Sequence, residues 1–187
     1  MQTEDYLKAG KIASEVREMV RKKDWIGKTV YEICEEVEGE IKKRGAKCAF
    51  PVNTSINEIA AHYTAEPNDP ITIKDTDLVK IDLGAQVNGY IADTAVTVCY
   101  DAQYDGLVQT AEEALANAMS MIKSGVKASD IGRTIESTIK QKGFKPIANL
   151  SGHSLDQYTI HAGRSIPNIW SIGGFSLSEN SAYACEP

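Results

Sequence analysis

The sequence is short of several features, and each shortage removes a class of function. It has no Cys-x-x-Cys pair, and its four cysteines, Cys34, Cys48, Cys99 and Cys185, are scattered. They read as small core residues in a reducing cytoplasm rather than as a disulfide frame. It has no basic stripe: the net charge is -6, and Arg21-Lys22-Lys23 and Lys42-Lys43-Arg44 fall near helix ends, where cations favour the dipole. Nucleic acid is therefore not an expected partner. No apolar run approaches the ~20 residues that span a bilayer, so no membrane partner is expected either. The opening Met-Gln-Thr-Glu-Asp-Tyr is polar and acidic, unlike a signal peptide. Histidine is scarce, with three in the whole chain: His62, His153 and His161.

What remains is ordinary globular composition. The 187 residues are 42% hydrophobic and 25% charged, enough for one domain or for two small halves sharing a core. Residues 4–22 carry Leu7, Ile12, Val16, Met19 and Val20 in a helical pattern. Thr29 followed by Glu32 is a capping-box signature, opening a helix through Ile33, Val37 and Ile41 that stops at Gly45. Residues 103–123 predict a third helix with Tyr104, Leu107, Val108, Leu115, Met119 and Ile122 inward. A fourth begins at Ser129, carries Ile131, Ile135 and Ile139, and stops at Gly143.

The second and fourth helices match. Ile33, Val37, Ile41 and Gly45 recur 98 positions on as Ile131, Ile135, Ile139 and Gly143, and His62 and His161 fall almost at the same offset. A duplicated unit of this size implies two similar halves, about 1–101 and 102–187, rather than a solenoid. The first half ends in strands: Asp77 to Gly84, an Asn88-Gly89 turn of type I′, and a return strand from Tyr90 to Tyr100. In the second half only Gly173 to Pro187 remains for the matching hairpin, room for about one strand.

With Asn88-Gly89 as a two-residue loop, Val87 pairs with Tyr90, Asp82 with Ala95 and Asp93 with Gly84. Asp82 and Asp93 then share a face as diagonal neighbours, with Cα atoms about 7–8 Å apart. The residues facing them are small, which predicts room between the carboxylates. Two metal ions about 3.5–4 Å apart, bridged by a carboxylate, would fit that gap and relieve the repulsion between the acids. Hairpin geometry alone leaves open an exposed pair of acids. Val79, Ile81, Leu83, Ile91, Val96 and Val98 favour burial of at least one face. All three histidines sit among small residues, His153 in a flexible Ser-Gly-His-Ser context, and neutral imidazole suits a transition metal.

Five motifs in order resemble the type II methionine aminopeptidases. They are Phe50-Pro51-Val52-Asn53-Thr54-Ser55-Ile56-Asn57 with Ala60-Ala61-His62-Tyr63-Thr64, then Lys80-Ile81-Asp82-Leu83-Gly84 and Ile91-Ala92-Asp93-Thr94-Ala95, then Gly152-His153-Ser154 and Ile160-His161-Ala162-Gly163. The resemblance runs over residues 1–187, and its lack of a basic N-terminal extension is archaeal-like. It implies an α/β (α+β) pita-bread fold, two pseudo-symmetric halves around antiparallel sheet, with the second half incomplete. It also implies a cytoplasmic metallo-exopeptidase that removes N-terminal methionine from peptides and nascent proteins. The cofactors implied are two divalent ions (Co, Mn, Fe or Zn) held by Asp82, Asp93, His153 and Glu186, with Asp93 bridging. Glu186, His161 and His62 would serve catalysis: Glu186 as general base, His161 at the developing oxyanion, and both histidines facing substrate. Phe50 and Ile160 would line the methionine pocket.

The sequence departs from the family at its end. The family's fifth ligand, a second glutamate, and the helical insertion before it have no counterpart in these 187 residues. The expectation is a truncated catalytic domain, completed by a further C-terminal segment or a second chain. The alternatives are a non-enzymatic scaffold reusing the fold and, disfavoured by the motifs, an Xaa-Pro peptidase.

Overall fold

A computed structural model describes residues 3–187. Helix α1, Thr3–Lys22, buries Ala9, Ile12, Ala13, Val16 and Val20. Leu7, counted in the helical pattern, is exposed. At about 3.6 residues per turn it lies half a turn out of phase with Val16, so the stripe cannot include both. Helix α2, Val30–Lys43, starts at the expected capping box: Glu32 N donates to Thr29 Oγ1 at 3.1 Å, and Thr29 N donates to Glu32 Oε2 at 2.9 Å. It closes at Arg44, followed by Gly45 at φ 83, a left-handed position that glycine occupies without strain.

Four antiparallel strands follow: β1 Lys47–Cys48, β2 Asn53–Ile56, β3 Leu78–Val87 and β4 Tyr90–Cys99. Strand β3 is central, with β4 along one edge and β1 and β2 along the other. Asn88 at φ 51 and Gly89 at φ 87 make the tight turn, and the strand continues to Val87, three residues beyond the expected Gly84. Val79, Ile81, Leu83 and Ala85 project from one face into a core with Val16, Val20, Trp25, Ile33, Val37 and Ile41. Arg17 Nη1 on α1 donates to Thr94 Oγ1 at 3.1 Å on that same side of β4. This unit ends at Tyr104.

The unit Asp105–Pro187 holds α3 Asp105–Met121, α4 Ala128–Gln141, and a three-stranded antiparallel sheet. Its strands are β5 Ser151–Leu155, β6 Ser165–Pro167 and β7 Ala182–Ala184, in the order β6-β5-β7. Helix α3 corrects the sequence expectation. Its buried residues are Thr110, Ala114 and Ala118, while Tyr104, Leu107, Leu115 and Met119 are exposed. Small side chains let α3 approach α4 closely, where Ala114 and Ala118 pack with Ile131 and Ile135. Backbone proximity, not side-chain bulk, selects the face.

The internal repeat is visible in hydrogen bonds. In the first unit Gly27 N donates to Ile73 O, Val30 N to Ile71 O and Ile73 N to Lys28 O. In the second, Gly125 N donates to Leu177 O, Ala128 N to Phe175 O and Leu177 N to Val126 O. Helices α2 and α4 coincide end to end at the 98-residue offset, and the returning strap is displaced by 104. The same two offsets carry the pairing Ser55↔Lys80 onto His153↔Ala184.

Candidate functional site

In the first unit the register is the one the turn dictates: Asp82 opposes Ala95, and Gly84 opposes Asp93. Alternation puts both carboxylates on one face, opposite the Ile81 and Leu83 core, and both residues are half-buried. The expected room at Gly84 is filled. A Cβ at Gly84 would lie 2.4 Å from Phe50 Cε1 and 2.9 Å from Ala49 Cβ. Glycine at 84 serves to admit the Phe50 ring, which brings that aromatic onto the carboxylate face. Asn53, opposite Asp82, donates through Nδ2 to Thr64 Oγ1 at 2.8 Å and ties β2 to the segment bearing His62.

His62 is exposed and holds φ 66, a backbone state that costs a non-glycine residue about 1 kcal/mol or more. Its neighbour Tyr63 keeps it there. Thr54 N donates to Tyr63 O at 2.8 Å, and the Tyr63 hydroxyl donates to buried Asp69 Oδ2 at 2.7 Å. That hydroxyl, with the Ile71 N–H, holds the Asp69 carboxyl below the usual range. A lowered folded-state pKa contributes stability above the unfolded value that is lost as pH falls through the folded one. Between about pH 5 and pH 2, unfolding free energy is therefore expected to fall less steeply in Tyr63→Phe than in the unaltered chain. Urea titrations at stepped pH check this, and identical slopes would contradict it.

In the second unit His153 lies within β5 and is 8% exposed, so its expected flexible setting is corrected to a buried strand. Its Nε2 is 3.0 Å from Glu186 Oε1. The His161 ring stands edge-on to it, with centroids 4.4 Å apart and planes at 84°. The loop that carries Ile160 and His161 is fastened to β5: Ala162 N donates to Ser154 O at 2.8 Å, and Arg164 N donates to Ser154 Oγ at 3.1 Å. Beside Glu186, burial first and the glutamate charge second push the Cys185 thiol up to about 11. An imidazole and a carboxylate in contact form a donor pair that suits a first-row divalent ion.

Two features escaped sequence reasoning. Glu186 lies 104 residues after Asp82, the displacement that relates β7 to the start of β3, so the two acids occupy equivalent repeat positions. A search with two offsets instead of one would have found that match. Buried Asn168 contacts the main chain of Glu186, and nothing in its local sequence signals it.

The model of metallopeptidase family M24 matches residues 4–187. The methionine aminopeptidase of Pyrococcus abyssi is 47% identical over 188 residues, covering 100% of this chain and 64% of that protein. That of Methanothermobacter thermautotrophicus is 46% identical, covering 98% of this chain and 62% of that protein. The chain thus spans just under two thirds of the curated relatives it matches. Among solved structures, the methionine aminopeptidase of Thermotoga maritima superposes with a TM-score of 0.86 at 30% identity, covering 96% of this chain and 76% of that one. The prolidase of Pyrococcus furiosus superposes with a TM-score of 0.84 at 26% identity, covering 97% of this chain and 54% of that one.

Proposed function

The chain belongs to metallopeptidase family M24, with that family's antiparallel α/β pita-bread fold, and from this we propose that it removes N-terminal methionine from peptides and nascent proteins. The observation that supports this reading is the placement of the family motifs. Asp82 and Asp93 share a face of the β3–β4 hairpin, and His153 meets Glu186 at 3.0 Å with His161 beside it. Asp82, Asp93, His153 and Glu186 would hold two divalent ions. Those ions, when bound, lower the pKa of a water and polarise the scissile carbonyl.

The chain's own residues supply the rest. Glu186 takes the water's proton and passes it to the leaving amine. His161 donates a hydrogen bond to the developing oxyanion, and His62, set by its left-handed backbone, faces the substrate. Phe50, seated on Gly84, and Ile160, beside His161, would each offer the thioether side chain an apolar surface.

Two other readings have distinct outcomes. With manganese or cobalt present, a Met-Ala peptide should lose its methionine while an Ala-Pro peptide stays intact. Preferential cleavage of Ala-Pro would make the chain an Xaa-Pro peptidase, as its structural likeness to prolidases allows. An absence of tight divalent-ion binding in calorimetry, even with the family's completing C-terminal segment supplied, would make it a scaffold that keeps the fold without the chemistry.

A further inference from the structure

We infer that Asn168 is a positioning residue for the His153–Glu186 pair, an inference that rests on reading these two as metal ligands. Asparagine is mostly a surface residue, yet Asn168 is 3% exposed. Its Nδ2 donates to Glu186 O at 2.7 Å and to Leu150 O at 3.2 Å. Leu150 immediately precedes β5, the strand of His153. One amide group therefore joins the main chain of one proposed ligand to the root of the strand that bears the other.

The ladder does not hold Glu186 by itself. The pairing of β5 with β7 runs from Leu155↔Ala182 to His153↔Ala184, and Glu186 lies two residues past that last pair. The chain there passes very close to β5. A Cβ on Gly152 would sit 2.3 Å from Ala184 O and 3.0 Å from Cys185 Cα. With the main chain of Glu186 tied by Asn168, only side-chain torsions remain to bring its carboxylate to the 3.0 Å contact with the His153 ring.

Asn168 is itself anchored. The segment Pro167–Trp170 lies on α4 at Gly132, where a Cβ would be 2.5 Å from Ile169 O and 2.8 Å from Pro167 O. Trp170 N donates to Glu136 Oε2 at 2.8 Å, and Arg133 stands over the Trp170 ring at 5.5 Å. Asn168 Oδ1 is buried and makes no hydrogen bond among the described residues. A buried unsatisfied acceptor is unfavourable. The position tolerates it because the donor end of the same amide reaches Glu186.

The test compares Asn168→Asp, which keeps the shape but turns the donor into an acceptor facing two carbonyls, with Asn117→Ala. Asn117 donates to Thr138 Oγ1 between α3 and α4 and does not touch Glu186. Two quantities are read: manganese affinity by calorimetry, and the order parameter of the Glu186 amide by NMR relaxation without metal. Asn168→Asp should weaken manganese binding by about 10–100-fold, the usual effect of losing a residue that orients a ligand. It should also drop the Glu186 order parameter from the rigid value of about 0.85 to below about 0.6. Asn117→Ala should lower Tm and leave both readings unchanged. If Asn168→Asp does not fold, Asn168→Ala takes its place with the same expectations. Wild-type order at Glu186 in the Asn168 variant overturns the inference, as does an equal loss in Asn117→Ala. If the unaltered chain binds no manganese, the metal reading fails, and the metal-free order parameter still decides whether Asn168 positions Glu186.

Discussion

Asp93→Asn is expected to lower kcat/KM on a Met-Ala peptide by about a thousandfold, because two ions contribute several kcal/mol of charge stabilisation and each 1.36 kcal/mol is tenfold. The substitution keeps the side chain's shape and removes its charge. Asp93 is half-buried opposite Gly84, on the sheet face away from the Ile81 and Leu83 core, so the hairpin should tolerate the amide. Circular dichroism and Tm should therefore stay near the wild-type values while activity and divalent-ion affinity fall together. Steady-state kinetics at saturating manganese, paired with calorimetry, separates the cases. Activity within tenfold of wild type would remove Asp93 from the metal set. A loss of affinity with a collapse of Tm would instead make it a folding residue.

The largest stability effect is expected at Trp25. Trp25 lies on the segment joining α1 to α2 and is fully buried, its Nε1 donating to Val20 O at 3.0 Å and its backbone N to the Tyr100 hydroxyl at 2.6 Å. Trp25→Ala leaves a large cavity and removes one of the hydrogen bonds that Val20 O accepts, leaving the one from Lys23 N at 3.3 Å. Cavity formation at a buried aromatic costs about 3–5 kcal/mol. Against a typical total of about 5–15 kcal/mol, this is about a fifth or more of the stability available. Equilibrium urea unfolding followed by fluorescence of the remaining Trp170 and by circular dichroism measures it. A loss under about 1 kcal/mol would mean that the α1–α2 corner is not part of the cooperative core.

Local rules read the first unit well because its signals are short-range. The Thr29–Glu32 capping box needs only four consecutive residues, and the Asn88-Gly89 turn alone sets the register that places Asp82 against Ala95 and Asp93 against Gly84. The repeat of α2 in α4 was legible because helix periodicity is written in side-chain type. The inward face of α3 was not, because hydrophobic weight pointed to Leu107, Leu115 and Met119 while the helix packs through Ala114 and Ala118. Gly84 was misread for a related reason: a small residue marks a close approach, but what approaches it, here Phe50, comes from a distant part of the chain.

The sequence by itself therefore determined the helices, the α2 capping box, the hairpin register, the internal repeat and the residue types able to bind metal. Each depends on neighbours within a few positions or on a periodic pattern. Only the tertiary structure decided that His153 lies buried within touch of Glu186, that Phe50 covers Gly84, and that Asn168 reaches the Glu186 carbonyl. Those relations join residues whose distance in space is set by how strands and straps pack, and packing is a property of the whole folded chain that no local window contains.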